Sequence, residues 1–251
     1  MNQPTVNLDR AAVAPRSTGF GTALRYEWIN LSTLRSTWAL SGLVLLLQLA
    51  FALFDSREDS PGSAQFSQGL TLLTMISAVL VAAIGVNAFG SEYRYRTIST
   101  TVLTLQSRVR LVLAKAGVVA GISVVTSLLA VLVDYVGMLT IGGTTADLAE
   151  VATGGLGAIL YVMLSGLTGL ALAGLTRHAV AALGVMILWP AVLETLLLST
   201  LDLNPASLPF IAARKLAVDP SDSHWYMPLP LVALTIVLLA AAATALHRRD
   251  A

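Results

Sequence analysis

GGLGAILYVMLSGLTGLALAGL (154–175) contains no charged residue and no proline. At 1.5 Å per residue, a helix of roughly 20 residues matches a hydrocarbon core of about 30 Å. Barrel strands alternate apolar and polar residues over about ten positions, whereas this run is continuous and predicts a spanning helix. Working outward, similar runs lie at 179–198, beyond the short link Thr176–Arg177–His178, and at 111–133, before a polar loop at 134–153. Others lie at 70–89, at 38–54 with Gln48 inside it, and at 227–246. The expected fold class is an all-α, polytopic membrane protein with six transmembrane helices. Its membrane domain covers 20–246, flanked by a flexible tail at 1–19 and a short one at 247–251.

Composition agrees. Apolar residues make up 56% of the chain and charged residues only 12%, against about a quarter charged in soluble domains. The net charge of +1 gives no reason to expect a nucleic-acid partner. Cysteine is absent, which excludes disulfides, thiolate catalysis and cysteine metal sites. The first long apolar run begins only near Trp38, so a cleavable signal peptide is not expected and that run should stay in the membrane.

Charge orients the spans. With the amino terminus inside and six crossings, the cytoplasmic parts hold 12 of the 15 basic residues: Arg10, Arg16, Arg25, Arg35, Arg94, Arg96, Arg108, Arg110, Lys115, Arg177, Arg248 and Arg249. Only Arg57, Arg214 and Lys215 remain outside. Basic residues favour the cytoplasmic side, so both termini are expected there.

Some polar residues stand out against this background. In 20–36, Phe20, Leu24, Trp28, Leu31 and Leu34 recur at helical spacing, with Arg25, Glu27, Asn30 and Arg35 mostly between them. This predicts an amphipathic helix, either lying in the membrane interface or extending the first span into water. Lys115, near the start of its span, can snorkel to the headgroups. Glu194 follows Trp189 and Pro190 in the fifth span; a carboxylate at full membrane depth is costly. It either reaches water at the outer interface or serves as a pairing partner or a point on a translocation route. Pro190 frees a carbonyl and is expected to bend the helix. Ser165, Gly169 and Ala173, and Gly117 with Gly121, form small-residue steps suited to close helix packing or a dimer interface.

The stretch GSEYRYRTISTTVLTLQSRVR (90–110) is too polar to span and too regular for a structureless loop. Glu92, Tyr93, Arg94, Tyr95 and Arg96 cluster where the second span ends; Thr97, Ile98, Thr101, Leu105 and Arg108 continue at roughly helical spacing. The residues fit a short helix along the membrane that meets a protein partner, or a basic loop held to anionic headgroups.

With the following RLVLAK (110–115), this pattern resembles the second-to-third helix region of permease subunits of the type-two (ABC-2) class of ABC exporters. The resemblance implies a cytoplasmic coupling helix that seats in a groove of a separate ATPase subunit. On it, Glu92, Arg94, Arg96 and Thr97 begin the coupling region, Ile98 and Thr101 lie within it, and Arg108 and Arg110 end it. Many members have a proline shortly before that basic pair; this chain has Gln106–Ser107. The resemblance also implies an interfacial helix over 20–36, short helical pieces over 203–216, two ATPase copies and a second permease copy, identical or homologous. ATP and magnesium would be bound by the ATPase partner, not by this chain, and the complex would sit in a bacterial cytoplasmic membrane.

Other motifs are missing. No G-x-x-x-x-G-K-[ST] phosphate loop occurs, nor H-E-x-x-H or G-x-S-x-G. His178, His224 and His247 are far apart in sequence. The chain is therefore not expected to be an enzyme by itself. A non-transporting scaffold or immunity-type protein docking a partner through 90–110, and an ion-coupled carrier using Glu194, are the competing functions.

Overall fold

The computed structural model describes residues 19–55, 62–95, 108–140, 148–201, 204–219 and 224–248. Among them, all regular structure is helical: α1 (Phe20–Thr33), α2 (Arg35–Asp55), α3 (Gly62–Leu72), α4 (Ala78–Tyr95), α5 (Arg108–Thr140), α6 (Leu148–Thr176), α7 (Ala179–Leu188), α8 (Thr195–Leu201), α9 (Pro209–Val218) and α10 (Leu229–Arg248). A π-helical turn at Leu73–Ser77 fuses α3 to α4, and another at Trp189–Glu194 fuses α7 to α8. Five helices are long and apolar enough to cross a membrane: Arg35–Phe54, Phe66–Gly90, Val109–Thr140, Leu148–Thr176 and Ala179–Leu201. A sixth apolar helical stretch, Leu229–Ala245, is shorter.

α6 is the hub. In its apolar stretch 72% of residues are buried, against 22% for Arg35–Phe54 and 17% for Ala179–Leu201, so those two helices line the periphery. Its position follows from its small residues. Lipid supplies no hydrophobic push between helices, so contact depends on how closely backbones approach. A side chain at Gly85 of α4 would run into the carbonyl of Gly166. A Cβ at Gly169 would stand 2.5 Å from the carbonyl oxygen of Ala82, and one at Gly157 would stand 2.9 Å from the backbone of Leu216 and Ala217 in α9. Ser165 and Ala173 are also buried, so this small-residue face serves packing within the chain. Gly117 and Gly121 differ: a Cβ at Gly117 would stand 3.1 Å from Leu24 of α1, whereas nothing lies within 4 Å of one at the exposed Gly121.

Hydrogen bonds add register. The Thr168 and Thr235 hydroxyls join α6 to α10 at 3.0 Å. Gln48 of α2 donates to the carbonyl of Gly69 at 3.2 Å. The α6–α7 link closes with Arg177 at φ 57°, its amide donating to the Ala173 carbonyl at 3.0 Å, a left-handed helix stop.

Helix ends differ from the sequence expectation. Asp134 does not open a loop: α5 runs on to Thr140, and Asp134 is buried against Gly69, where the missing side chain makes room. Glu150 lies in the first turn of α6. The second span begins well before residue 70, since α3 starts at Gly62. At 32 residues, Val109–Thr140 is about 48 Å long, more than a hydrocarbon core requires, so it tilts or protrudes.

The predicted amphipathic helix is present as α1, but it does not extend the first span. Leu34 is extended (φ −73°, ψ 115°) and separates it from α2, while the Trp38 indole donates to the Ser32 carbonyl at 2.7 Å across the corner. The face turned toward the bundle is Ala23, Glu27 and Leu31; Phe20, Leu24 and Trp28 are exposed.

Candidate functional site

At the α1 end of the bundle, α4 finishes, α5 begins, and α1 lies against α5. Glu27 and Lys115 meet there. Lys115 Nζ lies 2.8 Å from Glu27 Oε2, and both side chains are fully buried. The ammonium also donates to the Ala88 carbonyl at 3.1 Å and stands 5.3 Å from the centre of the Phe89 ring. That ring face attracts a cation. One side chain of α5 thus grips α1 and α4 together. Glu27 Oε1 is buried and makes no hydrogen bond among the described residues, so the pair is incompletely satisfied.

This corrects the sequence expectation at two positions. Lys115 does not snorkel to headgroups, because an acid from another helix meets it inside. Glu27 is not on a solvated face, because its partner is internal. The available signal was the spacing Ala23–Glu27–Leu31, one stripe at four-residue steps with an acid at its centre. Nothing in the sequence joined that stripe to Lys115, 88 positions away.

The expected coupling residues surround this contact in the chain. Glu92 and Arg94 fall in the last turn of α4, and Arg108 and Arg110 in the first turn of α5. Arg110 is exposed, five residues before Lys115. Arg96, Thr97, Ile98 and Thr101 lie outside the described residues. Arg25, Trp28 and Arg35 are exposed on α1 and at the start of α2. Among the described residues, no cluster of three or more His, Cys, Asp or Glu side chains forms a metal site.

Glu194 stands at the opposite end of the bundle and is 1% exposed. It does not reach water. Its carboxylate accepts from the amides of Phe210 (3.0 Å) and Ile211 (2.8 Å) and from the Trp189 indole (3.2 Å). The first amides of a helix lack intrahelical acceptors, and Glu194 satisfies two of them at the start of α9. It also favours the positive end of the helix dipole. Pro190, which has no N–H to donate, lies in the π turn that aims Glu194 at α9. Glu194→Ala is expected to cost about 1–3 kcal/mol by stranding buried donors. Hydrogen exchange at the Phe210 and Ile211 amides checks this: both should speed up, and less in Glu194→Gln, which keeps one acceptor oxygen.

The sequence matches no protein-family model and no curated protein.

Proposed function

We propose that the chain is the membrane-spanning permease subunit of an ATP-driven exporter of the type-two ABC class. In this reading it crosses a bacterial cytoplasmic membrane six times, with α10 as the sixth crossing and both termini cytoplasmic. α1 lies in the interface of the inner leaflet, its exposed Phe20, Leu24 and Trp28 toward lipid and Arg25 and Arg35 toward headgroups. The segment between α4 and α5 is the coupling element that meets a separate ATPase subunit, where ATP and magnesium are held. Two copies of this chain, or this chain and a homologous permease, enclose one route.

The observation that carries the reading is the buried Glu27–Lys115 contact. It binds α1 to α5, and through the Ala88 carbonyl to α4, beside the two helix ends that the coupling segment joins. A displacement of that segment would move α4, α5 and α1 as one unit. A switch of this kind needs rigid elements with two arrangements and contacts that differ between them. The charge pattern supports the orientation: Arg25, Arg35, Arg110, Lys115 and Arg177 lie at or toward the α1 end. Glu194 gives little support to an ion-coupled carrier, since such a carrier would have to break its three hydrogen bonds in each cycle.

The test is co-purification with an ATPase subunit, followed by ATP hydrolysis of the complex in liposomes. Charge reversal in Arg94→Glu/Arg96→Glu is expected to lower permease-dependent hydrolysis by about tenfold or more, the scale of placing like charges across an interface. Normal ATPase binding and normal coupled hydrolysis in that double variant would refute the assignment. So would an ATPase indifferent to this chain.

A further inference from the structure

A cavity of about 170 Å³ opens between the two π turns. Thr74 and Met75 come from the first turn, Pro190 and Ala191 from the second, Tyr161 from α6 and Arg214 from α9. π turns inside long helices often mark functional sites, and here both border one space. Its mouth is apolar and lies on the outer face of the bundle: Met75 is 55% and Ile187 47% exposed, both within candidate spans. Met186 lines it from within and is buried.

The polar groups sit at one end. Arg214 is half-buried, and among the described residues no carboxylate pairs with it. The neighbouring acid, Glu194, is occupied by two α9 amides and the Trp189 indole. The Tyr161 hydroxyl makes no hydrogen bond among the described residues. The Thr74 and Ser165 hydroxyls donate to helix carbonyls of their own segments, which leaves their oxygens as acceptors only. The two available donors of the cavity are therefore a guanidinium and a phenol. The guanidinium's planar fork suits phosphate or carboxylate oxygens.

We propose that this cavity binds an anionic amphiphile that enters sideways from the bilayer. Its acidic head is held by Arg214 and Tyr161, and its chain leaves over Met75 and Ile187. The charge of Arg214 selects the head, and the apolar mouth selects a molecule with a tail over a free anion. The site stands independently of the exporter assignment, since it requires no ATPase.

Native mass spectrometry of the delipidated full chain, titrated with phosphatidylglycerol, tests the proposal. One site tighter than any for phosphatidylcholine is expected, weakened about tenfold or more in Arg214→Gln, the worth of a charge-assisted hydrogen bond. Arg214→Lys should retain part of the affinity. Ile187→Trp, a change at the exposed mouth that leaves the interior untouched, should also weaken binding by obstructing entry. Equal affinity for the two lipids, or unchanged binding in both Arg214→Gln and Ile187→Trp, would overturn the proposal. Binding of glycerol phosphate as tight as that of phosphatidylglycerol would overturn it too, by reducing the site to one for soluble anions.

Discussion

Lys115→Met is expected to destabilise the protein by about 3–5 kcal/mol, the usual cost of removing one partner of a buried ion pair. The loss does not come from the attraction alone. The substitution leaves Glu27 as a buried carboxylate with no cation, in a place where Oε1 already makes no hydrogen bond among the described residues. Glu27→Met should cost less, because the ammonium keeps the Ala88 carbonyl and the Phe89 ring. The double variant Glu27→Met/Lys115→Met should return to within about 1 kcal/mol of the native protein, as apolar replacements of whole buried pairs commonly do. Thermal unfolding in one fixed detergent measures all three, and the resulting cycle isolates the pair term. A double variant as unstable as Lys115→Met would show that the pair is not what holds α1. If the double variant is stable but no longer stimulates the ATPase, the pair serves register and coupling rather than stability.

The long apolar runs were legible because one property, continuous hydrophobicity over a bilayer's width, fixes both helix and environment. All six appear as helices, five of them at full spanning length. Their ends were less legible. A charged residue reads as a boundary, yet Asp134 continues its helix because Gly69 on a distant segment makes room for it. The same blindness hid the Glu27–Lys115 pair, since neither spacing nor composition reports a partner from another helix. Glu194 was recognised as unusual, but its role as an acceptor for α9 depends on a helix docking 16 residues further along. Local pattern thus locates polar residues in apolar segments. Only the packing says which are paired, which are capped and which, like Arg214, face a cavity.

Gly85→Ala is expected to cost about 3 kcal/mol or more, beyond the usual range for added core methylenes. The obstacle is the Gly166 carbonyl, which belongs to backbone and cannot turn aside as a side chain would. α4 and α6 must separate instead, and α6 holds most of the bundle together. Two other glycines calibrate the effect. Gly169→Ala meets the Ala82 carbonyl oxygen less closely, at 2.5 Å, and should cost less. Gly121→Ala, with nothing within 4 Å, should be neutral or stabilising by up to about 1 kcal/mol through helix propensity. The order of unfolding temperatures should therefore be Gly121→Ala, then Gly169→Ala, then Gly85→Ala as the least stable. Equal values for the first and last would contradict this packing. Ala88, whose carbonyl accepts from Lys115, lies three residues from Gly85 on the same helix. Displacing α4 should loosen that grip as well, so Gly85→Ala and Lys115→Met should be less than additive when combined. Independent, fully additive losses would mean that α4 can leave α6 without disturbing the α1 end, and that motion there is not transmitted along α4.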